Sequence, residues 1–377
     1  MGKLDRLIEE LCPDGVEYKL LGEIEEEGIL ELGRGKVISK KTIANNPGKY
    51  PVYSSSAIGE GLMGKYNQYM FDEVLLSWSV DGGGRFFYRD KHKFSLTNVS
   101  GWLRVLKADI LNIRYLYYVI DNIWLGKTYD YINKAHPSVI RNDYLIPLPP
   151  LPVQEEIVRI LDNFTELTAE LTAELTAELT ARRKQYEYYR DLLLTFDEDV
   201  PKVRLDKVTT ITRGVRVVKS QLTETGTYPV FQNSMTPLGY YEKSNFNKNT
   251  VFIIGAGAAG EIGYSKIDFW AADDCYCLTC SDRLQSRFLY YAILCQKSYL
   301  LSRVRRASVP RLARSVIERL EIPVPPLKEQ ERIVSILDRF DALCNDLTSG
   351  IPAEIEARQK QYEYYRDKLL SFKEVTG

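Results

Sequence analysis

The sequence predicts an α+β protein of two similar modules of mixed α/β structure, joined and spaced by two long antiparallel helices in a pseudo-twofold internal repeat. Three observations predict it. The first is a repeat: Leu151 to Phe196 recurs as Leu327 to Phe372, the heptapeptide QYEYYRD stands at Gln185 to Asp191 and again at Gln361 to Asp367, and Pro149-Pro150, Gln154, Phe164 and Lys184 all return 176 residues later. That separation is too long for a solenoid unit and close to one domain plus a connecting element. The second is a helical apolar spacing of three and four inside the repeated segment. The third is that the stretches between the repeats read as short strands broken by Gly, Asn and Ser turns, which favours α+β over a doubly wound sheet. The divisions that follow are a first module at 1–150, a central helical region at 151–200, a second module at 201–326 and a distal helical region at 327–377.

Taken in order, Leu4, Ile8 and Leu11 predict a short amphipathic helix that the turn residues Cys12-Pro13-Asp14-Gly15 stop. Val16 to Ile24 alternates weakly, and Val203 to Val208 is its counterpart at the opening of the second half. The modules also correspond internally. Arg34-Gly35 matches Arg213-Gly214, and Tyr50 to Ser56 matches Tyr228 to Ser234. Val74-Leu75-Leu76 and Val251 to Ile254 are β-type runs, each followed by a glycine-rich turn. Each module closes on a proline-rich segment, Ile146 to Pro150 or Ile322 to Pro326. Prolines bar a helix before that point and are compatible with one starting just after it.

In the first long segment Ile157, Ile160, Leu161, Phe164, Leu167, Leu171, Leu175 and Leu179 form one stripe, and Thr168 to Leu179 is three identical TAEL tetrapeptides. An unbroken helix from Gln154 to Thr195 is roughly 60 Å long. With a single apolar stripe it needs a partner helix, and the second copy is the natural one. Glu170, Glu174 and Glu178 are like charges four residues apart, which belong on a solvent face or against a basic partner. The second copy carries Gly350-Ile351-Pro352, where a helix should stop and restart.

The net charge of -1 hides a segregation. Residues 30–150 hold 16 Lys and Arg against 10 Asp and Glu, and residues 201–322 hold 18 against 10. The rest of the chain is correspondingly acidic, at -15. Basic modules on an acidic scaffold suggest that the modules meet a polyanion while the scaffold meets protein. No apolar run is long enough for a membrane span, the N-terminus lacks signal-peptide features, and six scattered cysteines do not suggest a disulfide framework, so a cytoplasmic protein without membrane attachment is expected.

Several motifs imitate chemistry. Gly255 to Gly260 spells GxGxxG after a strand-like run, but Glu261 to Ser265 has no helical period and the equivalent site in the first half is Val80 to Arg85, so both read as tight turns between strands. Cys275, Cys277 and Cys280, with Cys295, could offer thiolates to zinc, yet the spacing is unusual and the first module has no such cluster, so they read as buried structural cysteines. Pro13-Asp14 with Glu17 and Lys19 is too compact for a nuclease signature, and Asn45 to Gly48 is a turn. With only His92 and His136 and no P-loop, acid-base and phosphoryl-transfer chemistry is poorly supplied, and no metal or cofactor site is expected in this chain.

Two variable modules, each ending in I-P-x-P-P-L and followed by Gln-Glu-x-Ile-Val-x-Ile-Leu-Asp or its near copy, then TAEL repeats and RRKQYEYYRD, resemble the specificity (S) subunit of type I restriction-modification enzymes, most closely those with TAEL repeats. The resemblance implies a non-catalytic chain with two target recognition domains, each reading half of a split, asymmetric site in double-stranded DNA. It implies two methyltransferase (M) subunits docked on the helical regions and supplying S-adenosylmethionine-dependent adenine methylation, and restriction (R) subunits adding ATP- and Mg-dependent translocation and cleavage. DNA contacts are expected from Arg34, Lys36, Lys40, Lys41, Ser54, Ser55, Arg85 and Lys134 in the first module, and from Arg213, Arg216, Lys219, Gln232, Asn233, Arg303, Arg305, Arg306 and Arg311 in the second. Tyr186, Tyr189 and Arg190, with Tyr362, Tyr365 and Arg366, either contact the methyltransferase or seal the two helices together. A different class of protein stays open, an adaptor whose paired modules bind other proteins, as does a stand-alone enzyme using the GxGxxG.

Overall fold

A computed structural model describes residues 2–55, 59–130, 132–345 and 350–375. Contacts divide the chain into two compact units, residues 1–172 with 357–377 and residues 173–356. Each unit therefore contains one module together with part of the helical regions, and the division falls inside helices at Thr172 and Glu356.

The first unit begins with α1 (Lys3–Leu11), β1 (Tyr18–Leu20), α2 (Leu21–Glu26), β2 (Leu30–Arg34) and α3 (Lys40–Asn45). It continues with β3 (Pro47–Tyr53), β4 (Leu62–Tyr66), β5 (Phe71–Ser79), β6 (Phe86–Leu96) and β7 (Ser100–Val105). Then come α4 (Ile113–Leu125), α5 (Pro137–Asp143), β8 (Leu145–Pro147) and the start of α6 (Leu151–Leu193). Local chemistry sets the starts: Ser39 caps α3, Asn112 accepts from the amides of Arg114 and Tyr115 at α4, and His136 caps α5, whose first residue is Pro137. A six-stranded sheet has the order β2-β7-β5-β6-β3-β4, antiparallel except where β3 runs parallel to β6. One face buries Leu76, Trp78, Phe86 and Leu103 against Tyr115, Leu116 and Val119 of α4 and Val153, Ile157 and Leu161 of α6.

The second unit contains β9 (Lys202–Arg204), α7 (Leu205–Val208), β10 (Thr209–Arg213), a 3-10 turn at Lys219–Gln221, β11 (Tyr228–Phe231) and β12 (Gly239–Tyr241). It goes on with β13 (Thr250–Ile254), β14 (Ile262–Ser265), β15 (Trp270–Ala271), β16 (Cys275–Cys280), α8 (Ser286–Leu294), α9 (Lys297–Ser302), α10 (Arg314–Glu318) and β17 (Glu321–Pro323). Its sheets run β10-β16-β13-β14 and β12-β11-β15, with β11 parallel to β15. This is the strand order of the first unit, with the place of β6 shared between β14 and β15. The opening segments Val16 to Ile24 and Val203 to Val208 correspond, and each is a short strand followed by a helical turn. The reason is spacing: Leu21 and Ile24, like Leu205 and Val208, are buried three residues apart, on one side of a helical turn.

The first long segment is one helix of 43 residues, about 64 Å. The second copy is α11 (Leu327–Asn345) and α12 (Ile351–Leu369), with Gly350 in a bend and Pro352 in the first turn of the new helix, so the interruption expected at Gly350 to Pro352 is present. Residues 346–349 lie outside the described residues. In the first unit Phe164 of α6 stacks on Tyr365 of α12 at 5.7 Å and the Thr165 and Tyr362 hydroxyls are 3.1 Å apart, so the two segments run antiparallel. In the second, Tyr189 of α6 stacks on Phe340 of α11 at 5.7 Å.

Candidate nucleic-acid interface

In both modules the same turns converge at the ends of the strands. After β2 the chain must pass close under another strand: Gly35 N–H donates to Ser100 O at 3.0 Å, and a Cβ at Gly35 would stand 2.3 Å from Leu96 O. After β10, Gly214 N–H donates to Cys275 O at 3.0 Å, and a Cβ there would stand 2.2 Å from Ala272 O. The preceding arginines are placed alike. Arg34 Nε donates to Asn98 O at 2.8 Å and Arg213 Nε to Asp273 O at 2.6 Å, and both guanidinium groups stay exposed. The paired Arg-Gly is thus first a structural device, with only the remaining donors free for a ligand.

The glycine-rich runs are hairpin turns. Val80 to Arg85 joins β5 to β6, which pair antiparallel, and Gly255 to Glu261 joins β13 to β14, also antiparallel. Gly83, Gly84, Gly257 and Gly260 take φ between +72° and +91°, which side chains rarely adopt. No helix begins after either turn to point its amides at a pyrophosphate. Onto each turn a further loop folds: Ala135 N–H donates to Val80 O at 3.1 Å, and Leu312 N–H donates to Gly255 O at 2.8 Å. The segment after β3 or β11 completes the group. The Ser55 hydroxyl bonds that of Ser79, Thr97 Oγ1 donates to Ser54 Oγ at 3.0 Å, and in the second unit Asn233 O accepts from Ala258 N–H at 2.8 Å.

Of the expected DNA-contacting residues, Lys40, Ser54 and Ser55 line one open groove together with Gly59 to Met63. Arg85 is exposed beside the Phe87 ring. Lys36, Lys41, Arg216 and Lys219 are exposed on the segments that follow β2 and β10, and Gln232 is half-buried next to exposed Asn233. Lys134 is tied to Asp81 at 3.1 Å. Arg303, Arg305, Arg306 and Arg311 are exposed around the loop on the second glycine turn. Loops rich in guanidinium, ammonium, hydroxyl and amide donors can bind phosphates and base edges.

The cysteines are packing groups here. Cys275 and Cys277 sit in a core cluster with Phe252, Ile254 and Phe269, and burial pushes the Cys275 thiol up to about 12, Cys280 to about 11 and Cys295 to about 12. Thiols so far above neutrality are weak nucleophiles. Among the described residues no group of three or more His, Cys, Asp or Glu gathers to hold a metal, and no helix is long and apolar enough to cross a membrane.

The model of the type I restriction modification DNA specificity domain matches this chain twice, over residues 21–181 and 197–357. The chain belongs to that family. Similar curated proteins include a putative type I restriction enzyme specificity subunit of Haemophilus influenzae, 32% identical over 95% of this chain and 96% of the relative. The specificity subunit of EcoR124I/EcoR124II from Escherichia coli is 33% identical over 75% of this chain and 72% of its own length. Among solved structures, the S subunit of the M. genitalium type I system gives a TM-score of 0.53 at 18% identity, covering 94% of this chain and 96% of that one. A chain from a study of complex assembly and conformational transition in the type I system gives 0.62 at 17%, covering 94% and 97%. These two likenesses concern the fold.

Each module of this specificity chain is clamped to its helix by a polar set repeated in the two units. The buried amide of Gln154 accepts from Asn112 N–H and donates to Ile110 O and Pro149 O, and Gln330 accepts from Gln285 N–H and donates to Arg283 O and Pro325 O. Asp162 receives Arg114 at 2.9 Å and the Tyr118 hydroxyl at 2.5 Å, and Asp338 receives Arg287 at 2.6 Å and the Tyr291 hydroxyl at 2.5 Å. Sequence reasoning passed over this clamp, although Asp162 and Asp338 also recur at the repeat separation.

Of the six expected subunit-contact residues, Tyr186 lies in the core of the second unit and Arg366 is buried in the first. Tyr189 and Tyr365 stack on Phe340 and Phe164, so within each unit these tyrosines seal helix to helix. Tyr362 is half-buried and Arg190 reaches Asp191 at 2.7 Å. The large side chains most open on these segments are Tyr188 and Tyr364, each 63% exposed and equivalent in the repeat.

Proposed function

We propose that this chain is the DNA-reading subunit of a type I restriction-modification complex, each module reading one half of a bipartite, asymmetric site in double-stranded DNA. The observation that carries the reading is duplication: one set of converging loops, rich in exposed basic and amide side chains, is built twice on the same strand order within one chain. A single chain with two such surfaces reads two different half-sites because the loops differ while the scaffold does not. The chain itself does no chemistry in this reading. S-adenosylmethionine, ATP and Mg belong to the M and R subunits, and the exposed faces around Tyr188 and Tyr364 offer two equivalent docking places for two M subunits.

The uninterrupted α6 sets the spacing between the half-sites. Each TAEL unit adds about 6 Å of helix, against about 3.4 Å per base pair of duplex. Mapping methylated adenines in cells that express this chain with its methyltransferase should reveal a two-part motif. Deleting Thr172 to Leu175 should shorten the unread spacer and leave both half-sites intact. A motif with no gap, or a spacer indifferent to the deletion, contradicts the proposal.

A further inference from the structure

Residues 303–313 of the second unit, between α9 and α10, form a loop whose backbone is pinned to the glycine turn. Arg305 and Arg311 bond each other through their main chains at 2.8 and 3.1 Å, Leu312 N–H donates to Gly255 O at 2.8 Å, and Gly257 N–H donates to Pro310 O at 3.1 Å. On this fixed frame Arg305, Arg306 and Arg311 project into solvent, with Arg303 at its base over the Tyr299 ring. No ion pair with any of the four is present among the described residues. The carboxylates on the flanking turn and helix are already engaged, Glu261 with Lys297 at 2.8 Å and Glu318 with Arg314 at 2.8 Å.

The first unit keeps one bond of this frame and differs in its electrostatics. The Ala135 to Val80 bond is the counterpart of the Leu312 to Gly255 bond, so Lys134 stands where Arg311 stands and Asp81 where Ala256 stands. There the lysine is neutralised by its own module at 3.1 Å. Like charges held together without a counter-charge repel one another in the free chain, and that repulsion is relieved against a polyanion. Guanidinium groups on a rigid frame suit phosphodiester oxygens, which they bind in bidentate fashion.

We infer that the 303–311 loop is a clamp for the phosphodiester backbone of duplex DNA at the half-site of the second module, while its counterpart in the first module is held closed by Asp81. The second module then supplies the larger part of the salt-sensitive affinity, and the first contributes mainly through its groove donors. This inference rests on the DNA-reading function proposed above.

The test measures binding of the full chain, alone or with its methyltransferase, to a random-sequence 30-base-pair duplex between 50 and 200 mM KCl. Each lost phosphate contact lowers the slope of log affinity against log salt by about 0.9. R305A/R306A should lower it by about 2, K134A should leave it nearly unchanged, and D81N, which frees Lys134, should raise it by about 1. All these side chains except Asp81 are well exposed, so thermal melting of the alanine variants should match the parent. A steep parental slope that R305A/R306A does not alter overturns the clamp and leaves the DNA-reading function standing. A parent whose binding ignores salt, or that binds poly-glutamate in preference to the duplex, overturns both.

Discussion

Strand β6 of the first unit runs unbroken for 11 residues, whereas the second unit divides the same position between β14 and β15, with a turn at Lys266 to Asp268 between them. The strand order and the parallel pairing with β3 or β11 survive the break, Val52 facing Ser95 and Val230 facing Trp270. What the two units share is therefore not strand length. It is the close backbone approach at Gly35 or Gly214 and the polar clamp on the helix. What differs is the loops: a groove of lysine and serine with a neutralised Lys134 in one, an open arginine loop in the other. The parts that meet the helices are held constant, and the parts that face outward are free to change chemistry.

On that division, matched substitutions should cost the same in both units. Gly35→Ala and Gly214→Ala place a Cβ against a carbonyl oxygen and should each destabilise their own unit by about 4 kcal/mol, read as loss of hydrogen-exchange protection confined to that unit. Gln154→Ala and Gln330→Ala remove the partner of three backbone groups apiece, one bond buried and two part-buried, and should cost about 3 kcal/mol each. Unequal losses within either pair would break the comparison.

Two smaller effects should sharpen it. Asp162→Asn should cost about 1.5 kcal/mol, whereas Asp338→Asn should cost less, because Arg287 also holds Asp341 at 2.7 Å and position 165 of the first unit is a threonine. Equal costs in a urea titration would show that Asp341 gives no support. Glu156, buried on α6 and held by Arg159 and Lys3, has its carboxyl lowered to about 2, and the second unit places Arg332 at that position. A depressed carboxyl contributes above its unfolded value and loses that contribution as pH falls. Glu156→Gln should therefore destabilise the first unit by about 1 kcal/mol at pH 7, both cations being more than half exposed. The difference from the parent should close between about pH 5 and 2. A difference in melting temperature that persists at pH 2 would show that packing, not charge, is lost.

The repeat made much of the architecture legible. QYEYYRD, the paired prolines and the apolar stripe located the helices, and Gly350 with Pro352 located their interruption, because proline and glycine act through local backbone sterics. The basic character of the modules was legible from charge counts, and all the expected lysines and arginines of the modules proved exposed. Pairing was not legible. That Lys134 meets Asp81, that Arg34 and Arg213 brace carbonyls, and that Tyr189 stacks on Phe340 depend on residues distant in the chain, which no local pattern encodes. The tyrosine motif showed the same limit: periodicity marked it as special, but only packing separates buried Tyr186 from open Tyr188.

Within α6 a leucine recurs every fourth residue from Leu167 to Leu179, and none of the four is fully buried. Four residues turn an α-helix by about 400°, or 40° beyond one revolution. Over those three steps the leucines wind about 120° around the axis. Gaining or losing one tetrapeptide therefore rotates whatever lies beyond it as well as shifting it along. The helix behaves as a screw thread, each tetrapeptide contributing a turn about its axis together with an advance along it.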